Sequence, residues 1–174
     1  MKYLEVRDQI ADGDILFCSI SGGFWNLVKL AQKIHGLADL SDVCHVGVAK
    51  WAGNRLYITE MDGANDALIP LSQRVDAGNK IRVVRTSYPV DSIFEQQTKD
   101  AIGYSLWDLV KIGARLVFGG GSGKDAQGHA VCSSYVSNWL QAVGWIPPSN
   151  FPGVPSPAEL AKTLNIEPIF IVQD

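Results

Sequence analysis

Two short strand-like runs that meet at one tight turn constrain this chain more than any other feature. Cys44 to Trp51 and Arg55 to Met61 flank Ala52-Gly53-Asn54, and glycine and asparagine tolerate the positive φ that hairpin turns demand. Side chains alternate across a strand, so Val46 and Val48 share one face while His45, Gly47 and Ala49 share the other. In the second run Glu60 shares its face with Leu56 and Ile58, which points a carboxylate at the core. An antiparallel hairpin with one greasy face has to pack against something, so the rest of the chain must supply a cover.

The flanking pattern says what the cover is. Ala11-Asp12-Gly13-Asp14 is a turn leading into a strand at Ile15 to Ser19. Gly22-Gly23 then opens a helical period through Phe24, Leu27, Val28, Leu30, Ala31 and Ile34, closed by Gly36. Ala67 to Leu71 and Ile81 to Thr86 read as further strands, and residues 91–117 as helical with a break near Gly103. A glycine-rich loop spans Gly119 to Gly128, and its composition and place suggest a mobile lid. Val131 to Val143 follows as a helix with Tyr135, Val136, Trp139, Leu140 and Val143 on one face, stopped by Gly144, Pro147 and Pro148. Ser156-Pro157-Ala158-Glu159-Leu160 reads as a capped helix start, and Ile166 to Val172 as a last strand. Strand, helix, several strands, helices and a final strand indicate an α+β domain, an antiparallel sheet packed against helices.

Size and composition fit a single domain over residues 1–174, since 47% of the 174 residues are apolar. No run of ~18 apolar residues is present, so no transmembrane helix is expected. The mixed-charge start Met1-Lys2-Tyr3-Leu4-Glu5 lacks the apolar core of a signal peptide, and the expected location is the cytoplasm. A net charge of −3 with scattered lysine and arginine gives no basic stripe for nucleic acid. The cysteines are an odd three, Cys18, Cys44 and Cys132, which argues against a disulfide framework.

Chemistry concentrates on Cys132. It falls in the first turn of a helix, where the dipole favours the thiolate and free amides can hold an oxyanion. Cysteine in such a place is most often a packing residue, so its weight depends on partners. His45, flanked on its face by small residues that leave room above the sheet, is the candidate base. Glu60 is the candidate partner of the histidine, because a core-facing carboxylate is costly unless paired. A hairpin turning on two or four residues puts His45 and Glu60 on one face; a three-residue loop puts them on opposite faces.

The succession Gly13-Asp14-Ile15-Leu16, His45-Val46-Gly47-Val48, Glu60, Cys132-Ser133-Ser134-Tyr135-Val136 and Ser156-Pro157-Ala158-Glu159-Leu160 resembles the circularly permuted NlpC-type cysteine hydrolases. Their YiiX/YebB-like branch is the nearest match. The resemblance runs from Gly13 to Leu160 and implies a papain-like fold in which the histidine strand precedes the nucleophile helix. It implies a triad of Cys132, His45 and Glu60, and a tyrosine lining the substrate site, which carries onto Tyr104. The chain departs from many non-permuted relatives in having Val131-Cys132-Ser133-Ser134 where they have Asp-Cys-Ser-Gly.

Other signals are weaker. His129, three residues before Cys132, is a second candidate base. Cys18, Cys44, His45, His129 and Cys132 are zinc-binding types, but they lack paired Cys-x-x-Cys spacing, so no metal and no cofactor is expected. Gly119 to Lys124 fails as a phosphate loop, with Phe118 and Asp125 at required positions. Of the five tryptophans, Trp25 is the one expected near the cleft.

The sequence therefore predicts a cysteine hydrolase that cleaves an amide bond in a small peptide, cell-wall peptides included. An acyltransferase or thioesterase acting on a lipid, as in the related lecithin retinol acyltransferase family, and a non-catalytic binding module are the rivals. Two features favour peptides. No apolar stripe is expected on the outer side of the helices, and Asp62, Asp66, Lys124 and Asp125 stand near the site loops. An apolar channel beside Cys132 would favour the lipid substrate instead. The oligomeric state is open.

Overall fold

The computed structural model describes residues 1–62, 65–86, 88, 103–104, 112, 129–164 and 168–173. An eight-stranded sheet runs in the order β7-β6-β4-β3-β2-β1-β5-β8. Its strands are β1 Ile15–Ser19, β2 His45–Ala52, β3 Arg55–Asp62, β4 Asn65–Pro70, β5 Lys80–Val84, β6 Gly103–Tyr104, β7 His129–Ala130 and β8 Phe170–Val172. Every pairing is antiparallel except that of β6 with β7. Among the described residues the main helices are α1 Tyr3–Val6, α2 Gly23–Ile34, α3 Leu71–Asp76, α4 Cys132–Ala142 and α5 Pro157–Leu164. The protein is an α+β domain, an antiparallel sheet packed against helices.

The strand period accounts for the two layers of core. Val46 and Val48 point one way, into a cluster with Ile15, Phe17 and the α4 residues Tyr135, Val136, Trp139 and Leu140. Ala49, Leu56 and Ile58 point the other way, against Tyr3, Val6 and Ile10 near the start and Leu71 and Val75 of α3. The Gly13-Asp14 turn is structural. The buried Asp14 carboxylate accepts from Arg85 Nε at 2.6 Å and from the Ala11 amide at 2.8 Å. The Ser156 motif is a capping box, with Glu159 accepting from the Ser156 amide and Ser156 Oγ accepting from the Glu159 amide. Gln32 locks α2 in place, donating from its buried amide to Ser41 and Val43 carbonyls and accepting from the Ala158 amide.

Several expected boundaries move. The strand expected at Ala67 to Leu71 ends at Pro70, and α3 begins immediately after it. Proline removes a donor from the ladder, so the sheet cannot continue there. The last strand is only Phe170–Val172. Gly103–Tyr104, expected in a helical stretch, is a short strand beside β4. The remainder of the 91–117 helical stretch, Ile112 apart, and the Gly119 to Gly128 loop lie outside the described residues.

Candidate active site

The hairpin register decides whether His45 and Glu60 can meet. Ala52 pairs with Arg55, leaving Gly53-Asn54 as a two-residue turn with Gly53 at φ 59°. Val48 pairs with Thr59; one residue further, Glu60 lies opposite Gly47 and diagonal to His45. The long glutamate side chain spans that diagonal, and His45 Nε2 lies 2.8 Å from Glu60 Oε2 with both residues buried.

Glu60 has a second partner that the sequence did not indicate. Arg74 of α3 donates from Nη2 to Glu60 Oε1, so the carboxylate is held on both oxygens. Burial alone would raise the Glu60 pKa, but hydrogen bonding and charge from His45, together with Arg74, outweigh it and hold the group below its ordinary value. A carboxylate with no exposure thus stays anionic because it is doubly paired.

Cys132 is the first residue of α4 and His45 the first of β2. The histidine pKa reflects their encounter. Burial lowers it, but the nearby Cys132 sulfur and Glu60 together raise it to about 10. With Nε2 committed to Glu60, Nδ1 is the nitrogen left for the sulfur. Nδ1 is buried and makes no hydrogen bond of ordinary geometry.

Ser134 Oγ accepts from the Val131 amide at 3.1 Å and closes the first turn, doing what the Val131 side chain cannot. The first helical bond runs from the Tyr135 amide to the Val131 carbonyl, so the Cys132 amide sits ahead of the ladder and has no helical partner among the described residues. Ser133 donates to the Pro155 carbonyl at 2.6 Å, tying the Cys132 turn to the chain before α5.

The room expected above Gly47 does not exist. A Cβ built there would lie 2.5 Å from Ile58 Cγ1, because Ile58 fills the space itself. The space lies instead on the Cys132 side, a cavity of about 110 Å³ lined by Phe24, Trp25, Leu27, Val28, Ala31, Cys44, Ile112, Cys132, Ser133 and Pro157. Trp25 is therefore at the cleft, and its ring also meets His45 edge-on, centroids 5.7 Å apart. Among the described residues the lining is apolar apart from the two thiols and Ser133.

No protein-family model and no curated protein matches the chain. A solved structure described as the metalloprotein yiiX from Escherichia coli O157:H7 is similar at 21% identity, covering 95% of this chain and 89% of that one, with a TM-score of 0.45.

Cys18 and Cys44 are buried and free of disulfides. Burial pushes the Cys18 thiol well up and also raises Cys44, which lines the cavity and accepts from the Ile20 amide at 3.1 Å. Among the described residues no three histidine, cysteine or acidic side chains form a group that could hold a metal. Tyr104 and His129 have described backbones, in β6 and β7, but their side chains lie outside what the structure describes, as do those of Asp62 and Asp66. Lys124 and Asp125 lie outside the described residues. No described helix is long and apolar enough to cross a membrane.

The expectation that no helix carries an outward apolar stripe is overturned. On α2, Phe24 is 46% exposed, Leu27 65%, Leu30 54% and Ile34 59%. The residues α2 buries are Ala31 and Gln32, so the line of side chains through Phe24, Leu27, Leu30 and Ile34 looks out.

Proposed function

We propose that this protein is a cysteine-nucleophile acyl hydrolase or acyl transferase, on a single papain-like domain of permuted order, whose substrate carries an apolar acyl group. The observation that carries the substrate class is the apolar cavity ending on Cys132. The peptide preference rested on charged anchors and on a lack of outward apolar surface; the first lies outside the described side chains, and α2 removes the second.

In this reading the Cys132 sulfur attacks the carbonyl carbon of an ester, thioester or amide while the acyl chain lies in the cavity. The first-turn amides of α4 take the charge that develops on the carbonyl oxygen. The His45 imidazolium protonates the leaving group, and the neutral ring then accepts a proton from water or from an acceptor nucleophile that releases the acyl group. Glu60 orients the ring and stabilises its cation. Arg74 keeps Glu60 in place as a positioning residue. Trp25 packs on the ring and shields it from water.

The cavity is smaller than the ~150 Å³ that admits a benzene ring, so its enclosed part suits a short segment of chain. Turnover of acyl thioesters, acyl esters and muropeptide-like dipeptides should be measured side by side for the wild type and Cys132→Ala. Thioester or ester turnover that vanishes in Cys132→Ala is expected. Peptide release without acyl turnover would overturn the substrate class, and no turnover of any of them would overturn the enzyme reading.

A further inference from the structure

We propose that the outer face of α2 docks on an anionic phospholipid surface and so delivers acyl chains to the cavity at Cys132. This rests on the acyl reading above and adds where the chains come from.

Phe24, Leu27, Leu30 and Ile34 recur at three- and four-residue intervals, so they line one stripe of the helix, and all four are exposed. Two of them belong to two surfaces at once. Phe24 and Leu27 face solvent and also line the cavity that reaches Cys132. The stripe and the cavity are therefore one continuous apolar path from the protein surface to the sulfur.

That continuity selects the occupant. A second copy of the chain or a soluble protein would cover the stripe and close the path. A lipid surface covers the stripe while supplying the apolar chain the path is shaped to take. Charge agrees with this choice, because the charged residues of α2 are Lys29 and Lys33 and none is acidic. Lys33 is exposed on the flank of the stripe, where lysines of in-plane helices meet anionic headgroups. The 12 residues of α2 extend about 18 Å, short of a ~30 Å hydrocarbon core, so the helix would lie along the surface rather than cross it.

The test is flotation of the full-length protein with phosphatidylcholine vesicles and with vesicles containing phosphatidylglycerol. It is paired with turnover of a water-soluble short-chain thioester and with size-exclusion chromatography. Binding to the anionic vesicles is expected, reduced at least tenfold in Leu30→Glu/Ile34→Glu and severalfold in Lys33→Glu, with soluble turnover unchanged. These residues do not line the cavity, so a fall in soluble turnover would signal misfolding; Leu30→Ser/Ile34→Ser, a milder change, then serves in their place. The proposal is overturned if wild-type protein fails to float with anionic vesicles, or if the variants float equally well. It is also overturned if the stripe instead mediates a dimer that Leu30→Glu/Ile34→Glu disperses. Loss of thioester turnover in the wild type with flotation intact would count against the acyl reading and leave the docking standing.

Discussion

Replacing Gly47 by alanine should destabilise the protein and disarm the site together. Gly47 does not have a positive φ, so the backbone accepts alanine, and on entropy alone the change would stabilise by ~0.4–1 kcal/mol. Space decides otherwise. The new methyl would lie 2.5 Å from Ile58 Cγ1, 2.6 Å from the Thr59 carbonyl oxygen and 2.8 Å from Ile58 Cδ1. Ile58 is wholly buried and cannot swing away, and the Thr59 carbonyl belongs to the strand backbone. Relief must come from parting β2 and β3, an overpacking cost of ~1–3 kcal/mol. Net of the entropic gain, and at ~2–4 °C per kcal/mol for a chain of this size, the melting temperature should fall by up to roughly 10 °C. The strain sits beside the His45–Glu60 hydrogen bond, and misplacement by an ångström can cost ~100-fold in rate, so turnover should fall at least tenfold. Thermal unfolding by circular dichroism and thioester turnover on the same samples read both effects. Adding Ile58→Ala removes two of the three clashes but leaves the Thr59 oxygen, so it should not restore wild-type melting. A Gly47→Ala protein that melts at or above the wild-type temperature would refute the packing argument.

Cys132→Ala should abolish acyl turnover with the melting temperature nearly unchanged, whereas Cys18→Ala and Cys44→Ala should retain most activity; equal losses in all three would point to a structural role. Arg74→Met leaves Glu60 with one partner and should cost up to about 3 kcal/mol, less than a fully buried pair because Arg74 reaches the surface. Its kcat should fall with KM little changed, and Arg74→Lys should recover part of it; equal kinetics in wild type and Arg74→Met would remove Arg74 from the site. Glu60 is held below its ordinary pKa in the fold, so its stabilising contribution is complete above about 4.3 and is lost as pH falls through the depressed value. Denaturant midpoints should therefore drop less steeply on acidification for Glu60→Gln than for wild type. Because His45 holds its proton to about 10, steps needing the imidazolium should weaken only above that pH, and Glu60→Gln should bring this limb down; an unmoved limb would separate Glu60 from the base.

The hairpin was legible because its turn chemistry is local, and the meeting of His45 with Glu60 then depended only on the number of turn residues. The nucleophile helix was legible because glycines precede it and prolines follow it. What escaped was decided by tertiary contact. Arg74 sits on α3, a six-residue helix without a side-chain cap, too short to show a period. The α2 stripe was visible as a helical pattern, but periodicity shows that a helix has a greasy face and not whether the fold covers it. Gly47 looked like open space because a missing side chain reads the same whether a ligand or a neighbouring isoleucine occupies the gap.

The groups that set the charge balance come in a particular order along the chain. His45, Glu60 and Arg74 lie within 30 residues, in β2, β3 and α3, where loops are short and closure is cheap. Cys132 arrives some 58 residues after Arg74. During synthesis the Glu60 carboxylate can therefore meet His45 and Arg74 before Cys132 leaves the ribosome. The Cys132 sulfur is the last of the four to be made, and it joins a cluster in which the Glu60 carboxylate is already held on both oxygens.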